Sequence, residues 1–356
     1  MQQEQACFRA LIGLDGFVDE VVRVVDRRES CEAYTCIETI AQFGQRISQC
    51  AGMSSNIEMV TQTRKIGGNG AILANALCCF GVGITYIGTV GVHTHDEVFS
   101  ELATSAELIG IAEPGKTDAI EFQDGKIISS KLDSLNALRW NDVKCALSPA
   151  DLAARIDGAD LVSFNNWTMI PQMSEIWRGI LSEVMQLCQS DIQGKLMFID
   201  LADPEKRSVE DIIGALALLE QFESRGFKVV LGLNKKEAHE ILKAVGADLI
   251  AADETLESLV RSVASRVQIS GVTVHPVDGA GALIDGVYEQ VDGPYCPQPL
   301  ITTGAGDHFN AGFVYGLLRA LPFDQSLTLG VSTSGYYVRT GISPTLSTLI
   351  EFIKNA

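Results

Sequence analysis

Basic residues are scarce in this chain. Lys and Arg number 27 against 45 Asp and Glu, which leaves a net charge of -18. A surface of that sign repels nucleic acid and anionic membranes, so neither is an expected partner. No uninterrupted apolar stretch approaches the roughly eighteen residues that a membrane helix needs. The opening MQQEQACFRA has neither a basic start nor a sufficient apolar run, so no signal peptide is expected. The nine cysteines form no CxxC pair, and adjacent Cys78 and Cys79 sit in an apolar segment as buried thiols do. A reduced, cytoplasmic protein is the expectation. Internal repeats, low-complexity tracts and interdomain linkers are also missing, so the chain is expected to form one α/β domain over residues 1–356. No GxGxxG follows the first strand with an acid about twenty residues on, which excludes a nicotinamide-dependent oxidoreductase.

What is present centres on Leu300 to Leu318, LITTGAGDHFNAGFVYGLL. Two threonines lead into Gly304-Ala305-Gly306, then comes Asp307. Phe309, Phe313, Val314, Leu317, Leu318 and Leu321 follow at near-helical spacing, so a helix with one buried face is predicted. Small residues at its start leave backbone N–H groups free at the positive end of the helix dipole, a site suited to a phosphate. Asp307 beside it can take the proton of an alcohol that attacks phosphorus. The alternative is an ordinary tight turn with Asp307 as a helix cap. The first reading implies phosphoryl transfer to a hydroxyl.

Elsewhere the rhythm is that of alternating strands and helices. FRALIGL reads as a first strand into Gly13, and GLDGFVDEVVRVV stays strand-like through Val25, carrying Asp15 and Asp19. Residues 35–52 read as helical, with Ile37, Ile40, Ala41, Phe43 and Ile47 inward. KIGGNGAILANALCCFG reads as an apolar helix opened by Gly67, Gly68 and Gly70, glycines that permit close backbone approach to a ligand. AIEFQDGKIISSK (119–131) predicts a hairpin with Asp124-Gly125 as its turn. DLVSF, KLMFID and KVVLGL are buried-strand runs separated by helical stretches near 173–188 and 208–222. That alternation predicts a parallel sheet with helices on both faces and ligands at the C-terminal strand ends. Asn165, Asn166 and Trp167 sit at one such end, where they line a substrate or cap a helix, and Asp200, ending KLMFID, and Asp203 after it sit at another. Asn234 and Glu237 begin a helix, either as a capping box or as a metal-and-phosphate pair. Two strands are predicted around Asp278-Gly279 and Gly281, and His275 before Pro276 reads as structural. His93, His95, Asp96 and Glu97 invite a zinc hypothesis, but no distant ligand pair completes it, so a polar surface loop is expected. A last helix is expected around 325–338.

The run TTGAGDHFNAG resembles the C-terminal signature of the ribokinase-like (PfkB) carbohydrate kinases. GGNGA resembles that family's two-glycine sugar motif, and NKKE its NxxE motif. Two departures stand out: Ile301 replaces the acid before the two threonines, and Ile72 the sugar-motif asparagine. The resemblance covers about residues 10 to 345. It implies a three-layer α/β fold with a small β-sheet lid, from strands near 15–26 and 112–132, and ATP-dependent phosphorylation of a sugar. Asp307 would be the base, with Gly304, Ala305 and Gly306 forming the anion site. The acceptor would be held by Asp19, with Asp15 the second choice, and by Gly67, Gly68 and Asn69. Nucleotide contacts fall to Asn234, Glu237, Thr303, Gly279 and Gly281, and Mg²⁺ to Asn234 and, through water, Glu237. Thr340-Gly341-Ile342-Ser343-Pro344 permits K⁺, and the lid a homodimer contact. A nucleoside kinase of the same fold, with Phe17 against the base, and a non-catalytic sugar-binding regulator are the alternatives.

Overall fold

The strand runs sort into two sheets. The computed structural model describes residues 8–247 and 254–355. In chain order its strands are β1 (Arg9–Leu14), β2 (Phe17–Arg28), β3 (Tyr34–Cys36), β4 (Met59–Gly67), β5 (Gly83–Gly88), β6 (Ala106–Gly110), β7 (Gly115–Phe122), β8 (Gly125–Lys131), β9 (Leu161–Phe164), β10 (Leu196–Asp200), β11 (Lys228–Asn234), β12 (Gly271–His275), β13 (Gly279–Ile284) and β14 (Val287–Asp292). The large sheet has the order β14-β13-β12-β11-β10-β9-β1-β5-β6. Strands β6 through β12 of that order are parallel, and β13 and β14 add an antiparallel edge.

Side chains alternate between the faces, as the pleat requires. Leu11 of β1 joins one core with Met197, Ile199 and Leu231. Ala10 and Ile12 join the other with Phe198 and Val230. Parallel strands buried on both sides explain why LVSF and LMFID carry no polar face to solvent. From β1 the chain first builds outward through β5 and β6, then returns to the other side at β9. The order thus reverses beside β1, and such a switch point opens a crevice at the C-terminal strand ends.

The helix Ala305–Leu318 starts over that crevice. It is buried all round from Asp307 to Gly316 rather than on one face, because the helices Asn69–Cys79 and Phe323–Thr340 flank it. Glycines make the close approach to the latter: Gly316 faces Ser326 and Gly330 faces Phe309. A further helix, Leu346–Asn355, lies beyond the one expected to be last.

The small sheet is built on β2, which pairs with β4 along one edge and with β7 along the other, with short β3 against its far end; β8 completes the hairpin. Strands β3 and β4 are additions to the two lid segments read from the sequence. The hairpin turn is Gln123-Asp124, one residue earlier than expected, since Phe122 pairs with Gly125. The helix expected over 35–52 is shorter, Ile40–Gln49, because a Thr39–Gln42 capping box starts it and 34–36 is strand. Phe43 faces inward, while Ala41 and Ile47 are exposed. Phe43 and Ile37 meet Val22, Val24 and Ile120 in a separate core on the outer face of this sheet. Among the described residues the eight cysteines are unpaired, and no helix is long and apolar enough to cross a membrane.

Candidate active site

Gly304 caps the helix Ala305–Leu318 with φ +93°, a backbone region that favours glycine. This turn aims the first helical amides into the crevice. The Ala305 amide donates to Thr302 O at 3.2 Å, which leaves those of Gly306 and Asp307 as the outward donors. Asp307 follows within the first turn, 8% exposed. Burial, then the charges of Asp200, Asp15, Glu237 and Asp19, hold its carboxyl well above the usual range. A group so placed is a proton acceptor once positive charge enters the site.

Two cavities meet at this turn. A cleft of about 340 Å³ is lined by Asn234, His275, Gly279, Thr302, Ala305 and Gly306. A second cavity of about 150 Å³ lies beneath the small sheet, lined by Phe17, Asp19, Lys65, Asn69, Asn166 and Lys126, with Ile301 and Thr303 at its floor. Residues 301–306 form the partition between them.

The inner face of the small sheet supplies most of the second cavity. Register places Lys65, Asp19, Thr117 and Ser130 in one row across β4, β2, β7 and β8. Burial raises the Asp19 carboxyl, an effect opposed by Lys65, Thr117 and Lys126. The Lys126 ammonium donates to Thr303 Oγ1 at 2.9 Å, so a lid side chain touches the partition. Thr303 therefore stands on the lid-side cavity and not in the cleft to which the resemblance assigned it.

Asp15 takes no part in the cavity wall. It is fully buried behind it, accepting from the Gly70 amide at 3.0 Å and from Asn166 Nδ2 at 2.6 Å. Its pKa is pushed up to about 6 by burial. The spacing from Gly13 allowed either aspartate; the pleat decides, because β2 begins at Phe17 and turns Asp19 toward the cavity. Asp15 instead ties the start of the helix Asn69–Cys79 to Asn166. Gly67 and Gly68 lie at that start, Gly68 with φ +97° and lining the cavity. Asn69 Nδ2 donates to Asp200 Oδ2 at 3.3 Å, as Asn310 Nδ2 does at 2.9 Å. Burial pushes the Asp200 carboxyl up to about 6 as well.

Asn234 and Glu237 form a complete capping box. Glu237 Oε2 accepts from the Asn234 amide and Asn234 Oδ1 from the Glu237 amide, both at 2.9 Å. Glu237 Oε1 accepts from the Asp203 amide at 2.9 Å, linking the ends of β10 and β11. Burial and then Asp200 push this carboxyl up to about 7. Gly279 lines the cleft, but Gly281 does not. The turn occupies 276–278, and Gly281 lies inside β13 opposite Val274, facing Leu256 and Tyr288.

The His93–Glu97 loop is held locally: Asp96 caps a short helical turn and pairs with Arg64 at 3.2 Å. Asp203, Glu205 and Glu240 gather within metal-ligand distance, yet Lys236 contacts all three. Lys65, Lys126, Thr117 and Ser130 were not singled out from the sequence. The alternation in MVTQTRKIG was the available signal for Lys65, and the Asp-Gly turn for Lys126.

The family model described as prokaryotic ketohexokinase matches residues 3–356. The ketohexokinase of Haloferax volcanii is 28% identical over 348 residues, covering 97% of this chain and 90% of that protein. A probable sugar kinase from Rhizobium etli superposes with a TM-score of 0.67 at 18% identity, covering 99% of both chains. Arabidopsis thaliana ribokinase, solved with ribose and ATP, gives 0.63 at 15% identity over 98% of this chain and 99% of that one. These two likenesses establish the ribokinase fold.

Proposed function

The chain belongs to the prokaryotic ketohexokinase family, and from that membership we propose that it transfers the γ-phosphoryl group of ATP to a hydroxyl of a ketohexose. It is a carbohydrate kinase of the ribokinase type. The observation that carries the assignment of roles is the place of Asp307, buried in the first turn of a helix directly behind the partition between two cavities.

In this reading the cleft beside Asn234 and Gly306 holds the nucleotide, and the cavity under the lid holds the sugar. Asp19, Asn166 and Lys65 meet sugar hydroxyls, with the Gly68 backbone beside them. Asp307 accepts the proton of the attacking hydroxyl, while the Gly306 and Asp307 amides receive the charge that develops on the phosphoryl oxygens. Lys126, bridging lid and partition, helps keep water out of the transfer path.

The residues present fit Mg²⁺ held through water. Asp200, Glu237 and Asp307 concentrate buried negative charge, but both oxygens of Glu237 are already bonded to amides. Mg²⁺, when bound, neutralises the β- and γ-phosphate oxygens. A K⁺ site fits less well. Ser343 Oγ is engaged by His308 Nε2 at 2.8 Å, Thr340 Oγ1 donates to Tyr336 O, and Ile301 offers no side-chain oxygen. For self-association, the helix Ile40–Gln49 covers part of the lid's outer face, which leaves less of that face for a second copy. The unpaired cysteines support a reducing, cytoplasmic setting.

ADP release with ATP and Mg²⁺, scanned over ketohexoses, aldoses and nucleosides, tests the reading. Turnover on a ketohexose should fall by about 10²–10⁴-fold in Asp307→Asn while sugar binding persists. Binding of sugar with no turnover in the wild type would leave a non-catalytic sugar-binding protein.

A further inference from the structure

His275 closes β12 directly opposite Asn234 of β11. Its imidazole packs on the Phe309 ring, centroids 4.7 Å apart and tilted by 35°. A Cβ placed on Gly306 would lie 3.2 Å from His275 Cε1 and 3.7 Å from Nε2. The ring edge that carries Nε2 therefore lies against the first turn of the helix Ala305–Leu318. Asn234 flanks this imidazole on one side and Gly306 on the other, and all three line the cleft.

The ring has no hydrogen-bond partner on another residue among those described. His308 provides the contrast, with Nδ1 on Gly304 O at 2.7 Å and Nε2 on Ser343 Oγ at 2.8 Å. Stacking on Phe309 needs a flat ring but no nitrogen, so packing alone does not account for a histidine here. Burial pushes its pKa down to about 4, which leaves a neutral ring with one N–H donor and one acceptor. The cleft has no lysine or arginine in its lining among the described residues. A phosphate chain entering it meets backbone amides, the side chains of Asn234, Thr302 and Ser334, and this one ring donor.

We propose that His275 is a nucleotide-binding residue, donating its ring N–H to a phosphate oxygen of the bound nucleotide. The inference rests on the kinase reading and deepens it by assigning the phosphate chain a side-chain donor. Calorimetric titration of the full chain with ADP, and separately with adenosine, tests it in His275→Phe and His275→Gln. Phe keeps the ring on Phe309 and removes the donor; Gln restores an N–H of similar reach. His275→Phe should weaken ADP by about 10- to 100-fold, the range for a hydrogen bond to a charged group, and leave adenosine unchanged. His275→Gln should recover most of the loss, and the KM for sugar should not move in either variant. ADP binding by His275→Phe at wild-type strength overturns the assignment. So does an equal loss of ADP and adenosine, which would place the ring against the base. A wild type that binds no ADP would instead remove the kinase reading beneath it.

Discussion

Four other carboxylates act on Asp307, and the resulting proton affinities have a consequence for stability. Asp15 and Asp200 titrate at about 6 in the folded chain against an ordinary 3.8, and Glu237 at about 7 against 4.5. The folded state therefore binds more protons than the unfolded one across those intervals, so these groups make stability fall as pH rises. His275 and His308 act the other way. Each is pushed down to about 4 by burial, so stability is lost as pH falls from 6.5 toward 4. By about pH 7.5 the histidines are neutral in both states, while Glu237 and Asp307 still hold protons in the folded one. Urea unfolding of the ligand-free protein should show a lower midpoint at pH 8 than at pH 6.5. The difference should shrink in Asp307→Asn; a midpoint that rises with pH would contradict the charge cluster.

At the level of elements, capping chemistry decides where helices begin and the pleat decides what they face. The capping box of Asn234 and Glu237 and the proposed metal-and-phosphate pair are one arrangement, because capping fixes Glu237 at the C-terminal ends of β10 and β11. In the small sheet the same alternation turns Asp19, Lys65, Thr117 and Ser130 inward and Val22 and Ile120 outward. The helix Ile40–Gln49 then closes the outer face through Phe43, whose ring lies 5.4 Å from that of Phe122. Phe43→Ala should cost about 3 kcal/mol, at the low end for a buried phenylalanine because this core is small. Hydrogen exchange should speed up in β2, β7 and β8 and stay unchanged in β9 to β12. Light scattering of the wild type should give the mass of one 38.3 kDa chain. A dimer that survives Phe43→Ala would place self-association elsewhere than on this face.

On the scale of the whole molecule, a net charge of -18 surrounds a site that must admit an anionic nucleotide. Long-range repulsion slows encounter, and salt screens it, the Debye length shrinking from about 30 Å at 0.01 M to about 8 Å at 0.15 M. kcat/KM for ATP should therefore rise across that range at fixed Mg²⁺. A fall would mean that local positive charge, such as Lys126 and Lys65, dominates the approach. The family, the α/β fold and Asp307 were legible in the sequence because each is written locally. Runs such as LMFID can only be doubly buried strands, and Gly-Ala-Gly-Asp before an apolar helix can only place its carboxylate at a helix start. The choice between Asp15 and Asp19 was not legible, since it depends on where β2 pairs with β4 and β7. Nor was the seat of Thr303, which the reach of Lys126 from a hairpin 177 residues away reveals. Gly281 was misplaced because the sequence marks a turn without fixing which residue begins the next strand. The sequence by itself determined which chemistry this chain carries and on which elements. Only the tertiary structure decided which polar residues reach a cavity and which lie behind it, because that depends on strand register and on contacts between segments far apart in the chain.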